Sequence, residues 1–442
     1  MSKKNSSTKF AAQNLITKFA LFPLGIISSV LIARMLGVEG KGVYSYVVLL
    51  SSLFIPILTF GYGAGIIYQI GTKAFNVKET TLSNIIVSLL QATFIAAIIT
   101  SVWYFGYLGK TGERIGYVEI LIVVSLIFLN TIFQFSARSI LADSWFKLDN
   151  LLQILRKIIV PICVVLLILF SENNIRGGLV GLLVGVTTLI LIQQYNIWKK
   201  YRPVFRLNID FIKKSYTYGF KGWLGNIAIT ANTRIDQLIL GVVASAEALG
   251  NYSIAVMLSE LVWIIPAALG QVIYNRVAGD KDREASLELV KKTHRIVLSF
   301  LLLCTFLVAV VGPYIIPLVY GDDFKGAILP FLVLLPGTLI MVSTKLLAKL
   351  FTASGHIDIT NKVQIISSIV SIILYLTLIP RMGILGAAIG ASIGYALGAI
   401  VFWYFYKKII NNNLSELFFT KRSDIAWAIE RCKHVWKSLK VR

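Results

Sequence analysis

Apolar runs of about twenty residues, separated by short polar breaks, recur along the whole chain. A run of that length crosses a hydrocarbon core of about 30 Å as a helix. Twelve are read, roughly at 10–33, 43–68, 82–106, 118–140, 151–170, 178–198, 222–244, 250–273, 293–319, 328–351, 362–380 and 384–407. The other structure that satisfies its backbone in lipid is a closed barrel. A barrel needs apolar and polar positions to alternate, and these runs do not alternate. The pattern predicts an all-α polytopic membrane protein of about twelve helices.

The second half repeats the first at low resolution. Gly178, Gly181 and Gly185 recur as Gly383, Gly386 and Gly390; Ala137, Ala142, Asn150 and Gln153 recur as Ala348, Ala353, Asn361 and Gln364; Tyr44-Ser45 recurs as Tyr252-Ser253. An even number of crossings per repeat leaves the halves in the same orientation, related by an axis along the membrane normal. The expected organisation is an N-terminal six-helix bundle at 1–200, a cytoplasmic linker at 201–221, a C-terminal bundle at 222–410 and a basic tail at 411–442. In the tail Leu417, Phe418, Ile425, Trp427 and Trp436 alternate with cations, which suggests a helix lying on the inner leaflet. Glycines four apart in helices six and twelve allow close helix contact.

Composition agrees: 57% of residues are hydrophobic and 14% charged. The net charge of +22 raises the question of nucleic acid, and its placement answers it. Lys and Arg gather in the N-terminus, in the even-numbered loops and in the tail, while the seventh, ninth and eleventh loops are poor in them. That is the positive-inside bias, and it puts both termini in the cytoplasm. Attraction to anionic headgroups accounts for the excess without nucleic acid. The first apolar run exceeds a signal-peptide core, so helix one is expected to be retained. Cys163, Cys304 and Cys432 are too scattered for a disulfide framework or a metal site, and no cofactor is implied. His294, His356 and His434 lack catalytic neighbours and are expected to be solvated or structural.

Ionisable residues inside apolar runs cost about 2.5–3.5 kcal/mol each on insertion scales, so each needs a reason. Lys18 lies in helix one, one turn after Asn14 on the same face, ahead of a kink at Pro23. Helix seven carries Asn226, Thr230 and Arg234 at four-residue spacing, with Arg234 near mid-membrane. Asp236 points about 200° away from Arg234 and meets another helix or the cavity. Glu260, in helix eight, could answer Arg234, bind a coupling cation or carry a proton. Lys345 and Lys349 lie toward the basic end of helix ten, where Lys349 and Arg138 are expected to reach for headgroups. The substrate-binding candidates are therefore Lys18, Asn14, Arg234 and Lys345, and the ion-coupling candidates Asp236 and Glu260. A cavity edged by Lys18, Arg234 and Lys345 suits an anion, because cations hold phosphate through charge-assisted hydrogen bonds.

Leu31-Ile-Ala-Arg34-Met-Leu-Gly37 with Gly40-Lys-Gly-Val-Tyr44 resembles the opening of bacterial polysaccharide flippases. So do Arg234-Ile-Asp236 to Gly241, Leu249-Gly250-Asn-Tyr252, Leu318-Val-Tyr-Gly321 to Phe324, and Gly383-Ile-Leu-Gly386-Ala. Over about residues 10–408 the chain is similar to the O-antigen, capsule and teichuronic-type exporters of the Wzx class. These belong to the multidrug/oligosaccharidyl-lipid/polysaccharide (MOP) exporter superfamily. The resemblance implies a flippase that moves undecaprenyl-diphosphate-linked oligosaccharide across the bacterial inner membrane for surface polysaccharide, including lipopolysaccharide. It implies a cavity bounded by helices one, two, seven and eight, and as partners membrane lipids and other membrane proteins of polysaccharide assembly. Twelve crossings depart from the fourteen usual in peptidoglycan lipid flippases. Helix one has no acidic residue at its middle, against multidrug-type cation coupling there.

Three rivals remain. A multidrug or small-molecule cation-coupled exporter of the same superfamily would want an acidic cavity. A polysaccharide polymerase or ligase would need a sizeable outer loop. A scaffold would not require several unmatched charges at membrane depth.

Overall fold

The computed structural model describes the backbone of residues 2–279, 283–410, 413–424 and 426, with side chains from residue 23 onward except 283. The first half consists of α1 (Ser2–Leu58), α2 (Tyr62–Gly71), α3 (Val77–Tyr104), the single turn α4 (Gly109–Gly112), α5 (Tyr117–Ala142), α6 (Phe146–Leu169) and α7 (Asn174–Tyr201). The second consists of α8 (Ile209–Val243), α9 (Ala246–Ser259), α10 (Ile264–Gly279), α11 (Arg283–Tyr320), α12 (Ile328–Ala353), α13 (Ile357–Met382) and α14 (Ile384–Phe405), followed by the short α15 (Ser415–Phe418). Side-chain caps start several of them: Asn76, Asn173, Asn208 and Ser245 each accept a first-turn backbone N–H, satisfying donors that a helix leaves free.

Among the described residues ten helices are long and apolar enough to cross a membrane. The bundle nevertheless makes twelve crossings, because α1 is two legs and α8 is too polar to be counted. The legs of α1 meet at Gly37, whose φ of 67° and ψ of 178° break the helix at an angle that disfavours any residue with a Cβ. Leg two runs back along α8, from Tyr46 against Gly241 to Gly61 against Gly219. The connection expected at 201–221 is helical from Ile209 onward, which makes α8 35 residues long. We call the end of the bundle that carries the even-numbered loops the basic end, and the other the far end.

Within the first half α7 packs on α6, α5 on α3 and α6 on α1; within the second, α13 packs on α8 and α14, and α12 on α10 and α14. The glycine rows sit at equivalent seams. A Cβ on Gly181 would fall 2.5 Å from Val164 Cα of α6, and one on Gly386 2.3 Å from the Leu378 carbonyl oxygen of α13.

The halves meet along leg two of α1, which touches α9 at the far end and, through α2, the start of α8 at the basic end. A Cβ on Gly42 would lie 1.8 Å from the Ala246 carbonyl oxygen, and one on Gly250 2.0 Å from that of Val38. Gly42 and Gly250 are 208 residues apart, and so are Val38 and Ala246. The two contacts are thus one contact seen twice across a pseudo-twofold axis, the relation expected of a parallel repeat. At the basic end a Cβ on Gly65 would lie 2.0 Å from the Ser215 carbonyl oxygen, and Trp223 Nε1 donates to the Ile57 carbonyl at 2.7 Å.

The described part of the tail docks on α11 rather than standing apart. Buried Arg295 grips Asp424 with two bonds of 2.7 and 2.8 Å and donates to the Glu416 carbonyl. Lys291 reaches the Glu416 carboxylate. His294, fully buried, bridges the Leu417 carbonyl and Ser343 Oγ on α12. His434, Cys432 and the rest of the leaflet helix expected at 411–442 lie outside the described residues.

Hydrogen bonding to Arg295 holds the Asp424 carboxyl below its ordinary value. A depressed carboxylate stabilises the folded state at neutral pH and loses that contribution as pH falls through the depressed range. Asp424→Ala also leaves Arg295 buried without its partner. It is expected to cost about 2–3 kcal/mol at pH 7, with the difference from wild type in thermal melts shrinking toward acid pH.

Candidate functional site

Two cavities open between helices that the polar positions of α8, α10 and α12 line. The larger, about 1140 Å³, lies toward the basic end among α8, α10, α12 and α13. Its walls carry carboxamides (Asn226, Gln271, Asn275, Asn361, Gln364), several hydroxyls, and two cations, Lys345 and Lys349, with no carboxylate among the described residues. The lysines are one turn apart on α12, so they share a face. The Lys345 ammonium sits 4.2 Å over the Trp263 ring and that of Lys349 6.0 Å from the Tyr274 ring centre. Aromatic faces steady a cation while leaving its hydrogens free. Lys349, expected among headgroups, therefore faces the cavity beside Lys345.

The second cavity, about 310 Å³, lies between the halves and is lined by leg two of α1, α8 and α9, including Lys41, Tyr44, Ser45, Arg234 and Glu260. Arg234 donates to both carboxylate oxygens of Glu260, at 2.9 and 3.1 Å. The pair stays open to the cavity, with 40% and 21% of its side chains exposed. Glu260 begins the 3₁₀ segment Glu260–Trp263 that interrupts the crossing formed by α9 and α10. Trp263 in turn donates from Nε1 to the Thr338 carbonyl at 3.0 Å and meets Tyr395 edge to face. The break in this helix thus links the carboxylate in one cavity to the lysine in the other.

Of the two directions left open for Asp236, another helix or the cavity, the structure takes the first. The carboxylate is buried, accepts from Tyr252 Oη at 2.6 Å and from the Gln237 backbone N–H at 2.8 Å, and faces neither cavity. One turn earlier, Asn232 bonds Ser367 and Ser371, tying α8 to α13. Asn14 and Lys18 lie in the first leg of α1, among residues whose side chains fall outside the described ones. The structure brings together Arg234, Glu260 and Lys345; Asp236 stands behind them.

Three cations were not singled out in the sequence. Lys41 borders the second cavity and sits 5.5 Å from the Tyr44 ring centre. Arg156 lies over Phe133 at 5.5 Å, and Lys157 Nζ reaches to 3.5 Å of the Cβ position of Gly25. The last two had a legible signal, adjacent cations within the apolar run read at 151–170. Lys41 had none, because it stands beside the loop at Gly37 and only its lysine stem carries it inward.

The sequence matches the description "Polysaccharide biosynthesis protein" over residues 31–329, more than half its length. It is 23% identical over 428 residues to the "Putative O-antigen transporter" of Shigella flexneri, covering 92% of this chain and 98% of that one. In fold it is similar to the lipid II flippase MurJ in an inward closed conformation, with TM-score 0.73, 15% identity, and 91% and 88% of the two chains covered. It is also similar to an inward-facing multidrug resistance MATE family transporter of the MOP superfamily, with TM-score 0.68, 14% identity, and 90% and 98% covered. With its apolar helices, two repeated halves and polar cavities at their meeting, the chain is a multi-pass membrane protein that shares the fold of MOP-superfamily transporters, and it belongs to the polysaccharide biosynthesis protein family.

Proposed function

We propose that the protein flips an undecaprenyl-diphosphate-linked oligosaccharide across the bacterial inner membrane by alternating access. The observation that carries this reading is the larger cavity: two lysines, five carboxamides and no carboxylate among its described walls. Lysines suit a diphosphate, through charge-assisted hydrogen bonds. Carboxamides, each with donors and an acceptor, suit sugar hydroxyls. A cationic drug would find no counter-charge there.

Positive-inside bias supports a cytoplasmic basic end with both termini inside. In that orientation the cavity loads from the cytoplasm while the Gly42 and Gly250 contacts keep the far end shut. The prenyl tail stays in lipid by leaving between leg one of α1 and α10, where no seam like that of α2 and α8 is formed among the described residues. Lys18 and Asn14, on that same leg, would meet the head as it enters. An inside-negative potential favours outward movement of two negative charges by roughly 4–5 kcal/mol per 100 mV. Proton or cation coupling would run through Glu260, which a cavity reaches, or through Asp236.

The test is the sidedness of the prenyl-diphosphate-linked oligosaccharide in vesicles from cells lacking the protein. Accumulation on the cytoplasmic face, relieved by wild type and not by Arg234→Ala, is expected. Normal sidedness together with altered drug efflux would move the protein to a multidrug role. Unchanged transport in Asp236→Asn and Glu260→Gln would remove ion coupling at those carboxylates.

A further inference from the structure

Among the described residues Glu260 is the one carboxylate bordering the second cavity, with Lys41 and Arg234 there and Lys345 behind Trp263. Its two oxygens fill both arms of the Arg234 fork. That bidentate geometry is the one by which a guanidinium holds a phosphate. The pair is not sealed in the protein: part of each side chain faces the cavity, which lies on the seam between the halves. Lys41, on the opposite wall, has no carboxylate partner among the described residues. A helix break begins at Glu260 itself, so the carboxylate can shift without unwinding regular helix.

We propose that Glu260 is a resident stand-in for the substrate's diphosphate. It occupies the Arg234 fork while the site is empty, and an incoming diphosphate displaces it. The anion then sits between Arg234 and Lys41. The freed carboxylate turns toward Lys345, whose ammonium lies over the Trp263 ring at the other end of the same 3₁₀ segment. The exchange keeps Arg234 paired at every stage, so its charge is never left bare at membrane depth, where an unpaired ion is costly. It also ties occupancy of the central site to movement of the 3₁₀ segment and of Trp263, which borders the loading cavity's lysine. This inference rests on the reading of the protein as a diphosphate-lipid flippase.

The stand-in role makes a counterintuitive demand: removing a charged group from the site should improve binding. Full-length protein in zwitterionic nanodiscs would be titrated with farnesyl diphosphate. Glu260→Gln is expected to tighten binding by about tenfold, the effect of removing one charge-assisted competitor. Arg234→Gln is expected to weaken it by at least as much. Unchanged or weaker binding in Glu260→Gln overturns the proposal. Glu260→Ala is measured beside it, and failure of both variants to fold would equally overturn it by making Glu260 a structural partner. A Lys345→Gln/Lys349→Gln variant separates the two levels. Its weakened binding with no gain in Glu260→Gln sinks the stand-in alone, whereas no binding by any form sinks the flippase reading. Phosphatidylglycerol discs form the second arm. Competition by that lipid equal to farnesyl diphosphate would show a site for any lipid phosphate and overturn the diphosphate assignment.

Discussion

Replacing Lys345 and Lys349 together with glutamine is expected to abolish export of the lipid-linked oligosaccharide while the protein remains folded. The two ammoniums are the only charges on the wall of the larger cavity among the described residues. Each rests on an aromatic ring, not on a carboxylate. Neutralising them therefore leaves no buried acid unpaired, and glutamine keeps a polar, hydrogen-bonding surface of similar reach. A charge-assisted hydrogen bond contributes about 1.5–3 kcal/mol, so losing two weakens binding of a diphosphate by about a hundredfold or more. The single variants should each fall between. The measurement is accumulation of the cytoplasmic-face lipid intermediate at equal amounts of membrane-inserted protein. Full export by the double variant would mean that the head passes elsewhere, and would turn attention to Lys41, Arg156 and Lys157.

A valine at Gly42 is expected to stop transport by a different route, by denying the protein its closed far end. The Cβ would lie 1.8 Å from the Ala246 carbonyl oxygen, a backbone atom with little freedom to yield. Relief requires the halves to separate there. Within each half nothing is disturbed, so the cost falls on one conformation more than on the fold. Overpacking a seam costs about 1–3 kcal/mol, enough to move a balanced pair of states by about fivefold to a hundredfold at about 1.4 kcal/mol per decade. Ala246, only 4% exposed in this conformation, supplies the reporter. In an Ala246→Cys background, Gly42→Val should raise the rate of maleimide labelling severalfold while export is lost. The pseudo-twofold relation demands that Gly250→Val, against the Val38 carbonyl, behave the same way. If only one of the two blocks transport, the seam is not a symmetric gate.

Much of the architecture is legible in the chain because transfer of a segment into lipid depends on that segment's own residues. Among the described residues all ten helices of membrane length and apolarity fall on expected spans, the first covering parts of two. Helix seven is the instructive case. Its polar residues take it below the apolarity of a lone spanning helix, yet α8 is 35 residues long and sits at the centre of the bundle. Asn232 and Asp236 are accommodated there by Ser367, Ser371 and Tyr252, partners on helices far along the sequence. In the sequence 222–244 reads as an apolar run, and the structure shows that its polar positions are tolerated because neighbouring helices partner them. The glycine rows of the repeat marked the faces of close contact, and the structure supplies the partners, α6 for α7 and α13 for α14.

The site was less legible, because a residue's angle around its own helix says nothing about which neighbour it will meet. Arg234 and Asp236 could be separated by helical geometry alone, and the structure separates them. That Glu260 takes both arms of the Arg234 fork depends on α8 and the break after α9 lying side by side. The seating of Lys349 beside Lys345 was hidden by the general tendency of lysine to reach for headgroups. Tyr274 offers it an inward alternative, as Trp263 does for Lys345, and no window of the sequence around Lys349 contains either ring.

By itself, then, the sequence determined that the chain lives in a membrane, that it is built twice, which end is basic, and that cations lie at depths where lipid would not tolerate them unpaired. Those properties follow from the free energy of placing each segment in hydrocarbon and from the charge of its flanks. Only the tertiary structure decided which of those charges face a cavity, which face a partner and which, like Asp236, are sealed against a tyrosine. Those outcomes turn on helix rotation and neighbour choice, fixed by close packing at Gly42, Gly65, Gly181 and Gly250 between residues distant in the chain.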